Sequence, residues 1–214
     1  MRIDVWSDLV CPWCYIGKRR LEHALAEFPD RERVEIVHRS FQLNPSAPMG
    51  TTARRRDYLM AKYGWSTAQA EKIDADMERR AAVDGLEYHL SPEGLTGNTL
   101  DAHRLVHLAR ERGRQDAAVE RFFRAYFTEQ RSLFDHASLA PLAVDVGLDP
   151  DEVRHVLEGH GYSAAVADDS DEARALGVTG VPFFVFDMAL GVSGAQPTEL
   201  FTRALDQAWN AVPE

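Results

Sequence analysis

The only two cysteines of the chain stand three positions apart in SDLVCPWCYIG, residues 7 to 17, where one periodicity gives way to another. Ahead of them Arg2-Ile3-Asp4-Val5-Trp6-Ser7 alternates, which predicts a short strand with Ile3 and Val5 on one face. From Cys14 onward Gly17, Leu21, Leu25 and Phe28 recur at helical spacing until Pro29, so residues 12 to 28 read as one amphipathic helix. Cys11 then sits at the N-terminus of that helix, and Pro12 occupies its first position, where a missing N–H costs nothing. A second strand over residues 34 to 41 stops at Leu43-Asn44-Pro45. The chain therefore opens strand, helix, strand.

From about residue 51 to 177 the texture is helix after helix, broken at Gly and Pro and with no repeat period. Spacing predicts helices over 53–63, 67–84, 98–112, 115–130, 138–146, 150–158 and 163–176. Strand character returns in Phe183-Phe184-Val185-Phe186 and in Leu190-Gly191-Val192-Ser193. A last helix after Pro197 carries Phe201, Leu205 and Trp209 on one stripe. The order is βαβ, a long helical insert, then ββα. A chain of 214 residues with 45% hydrophobic residues has enough apolar mass for one large domain or a domain with an insertion.

The expected setting is cytoplasmic. No window nears 18 consecutive apolar residues, and the cysteines come too soon after Met1 for a signal peptide to precede them, so no membrane partner is expected. A formal charge of −10 argues against nucleic acid, which needs a net gain of cationic contacts. The run Arg54-Arg55-Arg56 reads as a solvated helix face.

A cytoplasmic pair of cysteines is not a structural disulfide framework, because the reducing pool keeps such bridges open. A zinc site wants four ligands, and no second cysteine pair exists, so no metal is expected. Packing alone would make them two small buried hydrophobes at i, i+3. The alternative is redox chemistry. A thiolate at a helix N-terminus is stabilised by unpaired N–H groups and the positive end of the dipole, which makes Cys11 the nucleophile; Cys14, one turn on and pointing inward, is the resolving thiol. Trp13 between them supplies no cation but offers an exposed apolar plate for substrate. Asp8, three residues earlier, is a supporting candidate for proton movement. His103 and His107 have the i, i+4 spacing of two metal ligands, yet no HExxH surrounds them, and a solvated or hydrogen-bonded pair is the better reading.

The stretches SDLVCPWCYIGKRRLE, SFQLNP, GNTLDAHRL, RFFRAYFTE and GVTGVPFFVFDMALGVSGAQP resemble the DsbA-like thioredoxin-fold oxidoreductases, most closely their FrnE-type branch. The resemblance implies an α/β thioredoxin fold with a large inserted all-α domain: 1–45 and 177–214 form the thioredoxin-like domain, and 46–176 the insert, capping the cysteine face. It further implies a cis peptide before Pro182, with Val181 and Pro182 binding substrate beside the CxxC pair and Asn98 and His103 facing the cysteines across a cleft. The implied activity is thiol–disulfide exchange on protein or small-thiol disulfides, with no bound cofactor and glutathione as a possible co-substrate. A different class shares the architecture, the 2-hydroxychromene-2-carboxylate isomerases and kappa-class glutathione transferases, which need only one hydroxyl or thiol at position 11. A redox-sensing holdase is a third reading. Oligomeric state is not legible.

Overall fold

The alternating start of the chain becomes strand β1 (Arg2–Ser7), and helix α1 (Pro12–Ala26) follows a turn in which the Cys11 amide donates to the Asp8 carbonyl at 3.0 Å. The computed structural model describes residues 1–211, so the last three residues of the 177–214 segment lie outside the described residues. Pro29 stops α1, since it cannot extend the hydrogen-bond ladder. Strand β2 (Glu35–Ser40) then pairs parallel with β1, from Arg2↔Glu35 to Ser7↔Ser40.

Next come β3 (Thr52–Arg54), α2 (Arg55–Tyr63), α3 (Thr67–Val83), β4 (Leu95–Gly97), α4 (Leu100–Glu111), α5 (Gln115–Phe127), α6 (His136–Asp145), α7 (Pro150–Glu158) and α8 (Ser163–Ala175). The chain closes with β5 (Phe183–Phe186), β6 (Leu190–Ser193) and α9 (Thr198–Ala211). The main sheet has the order β2-β1-β5-β6, with β5 antiparallel to both neighbours. This is an α/β thioredoxin fold carrying a helical insertion. The chain divides into two compact units, residues 1–43 with 166 onward, and residues 44–165.

In the first unit Ile3 and Val5 face Leu21, Ala24 and Phe28 of α1 and Phe201, Ala204, Leu205 and Ala208 of α9, all buried with Phe184 and Phe186. The opposite face of β1 is also covered. Trp6, fully buried, packs with Ala173, Val178 and Val185, and its indole N–H donates to the Asp169 carbonyl at 2.9 Å. The Asp169 carboxylate accepts from the Ser40 amide at 2.8 Å and from Arg39 at 2.9 Å, and Arg39 also pairs with Asp4 at 2.7 Å. Most of α8 therefore belongs to this unit. The expected boundary at 176 falls instead at Ala165, because Asp169 and Ala173 are tied to the sheet.

The second unit is built round α4, whose residues Asp101 to Ala109 are all buried. It packs on α5 and α7, with α6 against both of those helices. Arg104, 3% exposed, pairs with Asp101 at 2.6 Å and donates to the carbonyls of Gly159 and Gly161, both at 2.7 Å, and of Val156. A buried cation is tolerable there because the end of α7 supplies the negative pole of a helix. His103 and His107 are buried, and the His107 ring stacks on Tyr162 at 6.4 Å, so a solvated pair is not what forms. The basic run also differs from its reading as a solvated face: Arg55 and Arg56 are largely buried against Asp74, at 2.8 and 3.1 Å, and only Arg54 is exposed. One ladder was not expected. β3 pairs with β4, and the Gly97 position leaves no room for a Cβ, which would lie 2.9 Å from both Phe134 and the Thr51 carbonyl.

Asp169→Ala removes the shared acceptor of Arg39 and Ser40 and leaves Arg39 with Asp4 and Glu172. Urea denaturation should show a loss of about 1–3 kcal/mol; a change under about 0.5 kcal/mol would mean that the network does not hold α8 in place.

Candidate functional site

Cys11 is the N-cap of α1, with extended backbone (φ −87°, ψ 114°), Pro12 at the first helical position and no acidic residue in the first turn. Its side chain makes no capping hydrogen bond to the first-turn amides, so what the helix offers the sulfur is the positive end of its dipole, with no competing carboxylate in that turn. The Cys14 amide donates to the Cys11 carbonyl at 3.0 Å, closing the first turn. Both thiols are free and both are buried, at 5% and 2% exposure, whereas Trp13 between them is 37% exposed. That contrast is what a helical turn dictates: position 13 projects away from the face that carries Cys14.

The Cys11 thiol donates to the carbonyl of Val181 at 3.6 Å. The Val181–Pro182 peptide is cis. Pro182 itself lies against the helix, since a Cβ placed on Gly17 would meet its Cγ at 3.0 Å and Phe184 Cζ at 3.1 Å. The side chain of Val181 packs into the Trp6 cluster. Thus Cys11, Val181 and Pro182, which the sequence reading grouped, are brought together in the first unit. Gly17 was missed as a member of this group; its signal was a glycine on the buried stripe of an otherwise regular helix, a position that costs helix stability unless something approaches closely.

Burial pushes the Cys14 thiol well above its ordinary value, and the Cys11 sulfur beside it adds to the effect. An Asp8 backbone N–H works against this and the Asp8 carboxylate works with it. Asp8 is 1% exposed, and its carboxylate accepts the Leu43 amide at 2.7 Å, fixing the chain just beyond β2. Asn98 and His103 belong to the second unit. The Asn98 amide donates to the carbonyls of Pro45 at 3.3 Å and Ala47 at 2.7 Å, while its oxygen accepts the Leu100 amide at 2.9 Å, so it fastens a loop to the start of α4. His103 is 2% exposed in the same helix. Among the described residues no group of three or more His, Cys, Asp or Glu is arranged to hold a metal ion.

The model of the DSBA-like thioredoxin domain family matches residues 2–206. Among solved structures, a probable DsbA oxidoreductase from Streptomyces coelicolor is 49% identical, covers 100% of this chain and 92% of its own, and superposes with a TM-score of 0.96. A 2-hydroxychromene-2-carboxylate isomerase shares the fold at 16% identity and TM-score 0.73, covering 98% of this chain and 97% of its own. The cytosolic disulfide reductase DsbM from Pseudomonas aeruginosa does so at 17% identity and TM-score 0.68, over 99% and 100% of the two chains; it has also been solved with GSH.

Two outcomes follow from this geometry. Gly17→Val should push Pro182 and Phe184 aside and cost about 1–3 kcal/mol in thermal or denaturant unfolding. In Cys11→Ser, the remaining Cys14 thiol should resist iodoacetamide at about pH 8.5, where an ordinary cysteine is half ionised. The folded state holds the Cys14 proton more tightly than the unfolded chain does. Stability of the reduced wild type is therefore full below about pH 8.5 and falls as pH rises beyond it. Labelling of Cys14 at the rate of a free cysteine would contradict both statements.

Proposed function

The chain belongs to the DSBA-like thioredoxin domain family, which makes it an oxidoreductase or isomerase in general terms, and we propose that its specific activity is thiol–disulfide exchange through Cys11 and Cys14. The observation that carries this reading is the asymmetry of the two thiols: one caps a helix and meets the Val181 carbonyl, the other is a turn deeper with its ionisation suppressed.

The Cys11 thiolate attacks one sulfur of a substrate disulfide; a Cys11–substrate disulfide forms and the other substrate thiolate leaves. Cys14 then loses its proton to solvent or to the departing thiolate and attacks the Cys11 sulfur. The Cys11–Cys14 bond forms and the second substrate thiol is released. Two electrons have passed from the protein to the substrate, and a thiol reductant such as glutathione restores the dithiol. The reverse sequence oxidises a substrate dithiol. Suppressed ionisation suits Cys14 to its part, because a thiol that stays protonated until the mixed disulfide forms does not compete for substrate.

Trp13, Val181 and Pro182 form the surface that receives the substrate disulfide, whether on a protein or a small thiol. The Val181 carbonyl is the acceptor for its backbone or amide groups once Cys11 has ionised. No bound cofactor is needed, since the sulfurs carry the electrons. We assign the activity to the cytoplasm. Among the described residues no helix is long and apolar enough to cross a membrane. The second reading is glutathione-dependent isomerisation, favoured by the likeness of the fold to an isomerase of that architecture. It uses position 11 alone and leaves Cys14 without a task.

The readings separate in one experiment. Cys14→Ser should trap mixed disulfides on Cys11, visible by mass spectrometry, and abolish insulin reduction, while Cys11→Ser should lose activity without trapping anything. Under the isomerase reading Cys14→Ser is nearly silent and turnover depends on position 11. A Cys14→Ser variant that still reduces insulin removes the dithiol mechanism.

A further inference from the structure

Strand β4 and the turn after α5 border a cavity of about 190 Å³ whose lining belongs wholly to the 44–165 unit. That is enough for one small ring compound, since an apolar cavity of about 150 Å³ holds benzene. Leu90, Leu95 and Tyr126 give it an apolar wall, and Arg55 and Arg131 give it a cationic one. The Tyr126 hydroxyl donates to the Leu95 carbonyl at 2.7 Å, which ties two lining residues together.

The acids around this cavity are already engaged: Glu87 lies against His89 at 3.0 Å, and Glu78 accepts the Leu90 amide at 2.6 Å. Glu93, the acid in its lining, is paired with Arg54 at 2.9 Å. Asp74 serves two guanidinium groups, Arg55 at 2.8 Å and Arg56 at 3.1 Å. Arg131 has no carboxylate partner among the described residues. Its guanidinium donates to the Ser138 carbonyl at 3.3 Å, which leaves most of its five N–H donors unspent. Elsewhere in the same unit Arg104, Arg112 and Arg121 each hold at least one acid. The backbone that presents Arg131 is set in advance: its amide donates to the Ala125 carbonyl at 2.8 Å, and Gln130 before it is held in the left-handed region at φ 54°.

We infer that this cavity is a binding site for a small organic carboxylate, with the carboxylate held by the Arg131 fork, Arg55 in support, and an apolar body against Leu90, Leu95 and Tyr126. A guanidinium with free parallel donors matches a carboxylate two bonds at a time. The apolar wall sets the rest of the ligand, because inorganic phosphate there would lose hydration on one side without return. The site involves neither cysteine and stands independently of the exchange chemistry.

Benzoate is the probe, with benzyl alcohol as its uncharged counterpart and inorganic phosphate as an anion without an apolar body. On the full-length protein, calorimetry should show saturable benzoate binding and weaker or no binding of the other two. Arg131→Gln should weaken benzoate by about tenfold or more, and Arg131→Lys should retain part of it. Phenylglyoxal modification of the unmutated protein, mapped by mass spectrometry, should be slowed by benzoate at Arg131 and not at the exposed Arg54. Absence of saturable binding, equal affinity in Arg131→Gln, failure to protect Arg131, or phosphate binding as tightly as benzoate would each overturn the assignment.

Discussion

When β5 pairs with β1, from Ile3↔Phe186 to Trp6↔Phe183, it sets side by side two segments that the chain keeps far apart: the loop after β1, which carries the cysteines, and the loop before β5, which carries Val181 and Pro182. The contact between the Cys11 thiol and the Val181 carbonyl spans 170 residues of sequence and exists only because that ladder is in register. A slip of one residue would turn Phe184 and Phe186 away from α1 and α9 and would carry the Val181 carbonyl off the sulfur. Core packing and site geometry are thus set by the same hydrogen-bonded ladder.

The two faces of β1 are covered by different means. Ile3 and Val5 meet an apolar layer from α1 and α9, where loss of water from hydrocarbon is the driving term. Asp4 and Trp6 meet a mixed layer in which Arg39, Asp169 and Ser40 satisfy one another. Buried charge of that kind adds little net stability but is costly to leave incomplete, so it fixes where α8 lies more than how strongly it holds. Because Val178 and Val181 pack round Trp6, the position of α8 is passed on to the loop beside Cys11.

Much of this was legible. Helices α1 and α5 begin where spacing put them and end within a few residues of the predicted limits, and α9 follows Pro197 as expected; Pro12 and Pro29 mark the ends of α1, whereas α5 has no side-chain cap. Strands β3 and β4 were not legible, since three residues apiece, all exposed in β3 and none fully buried in β4, show no alternation to read. Asp4 reads as an outward-facing residue of an alternating strand, yet it is 1% exposed: periodicity reports which positions are apolar, not which faces are covered. The same blindness put α8 with the insert. Its anchor is Asp169, one acid among several on a helix of low amphipathicity, and only the three-dimensional partners Trp6, Arg39 and Ser40 distinguish it. Cys11 and Cys14 stood out through spacing, and Val181 through resemblance. Asn98 was singled out by the same resemblance, and its hydrogen bonds to the Pro45 and Ala47 carbonyls tie down the loop there.

The discontinuity of the first unit orders events during synthesis. The ribosome delivers β1, both cysteines, α1 and β2 first, then the whole 44–165 unit, and only afterwards β5. Until β5 emerges β1 has one neighbour, and Cys11 lacks the carbonyl that later meets it. A nascent chain therefore carries a half-built sheet with an open edge and two unshielded thiols while more than half of its length is still being made. Long-range closure of this kind is slow relative to local helix formation, so the helical insert has time to fold before β5 completes the sheet.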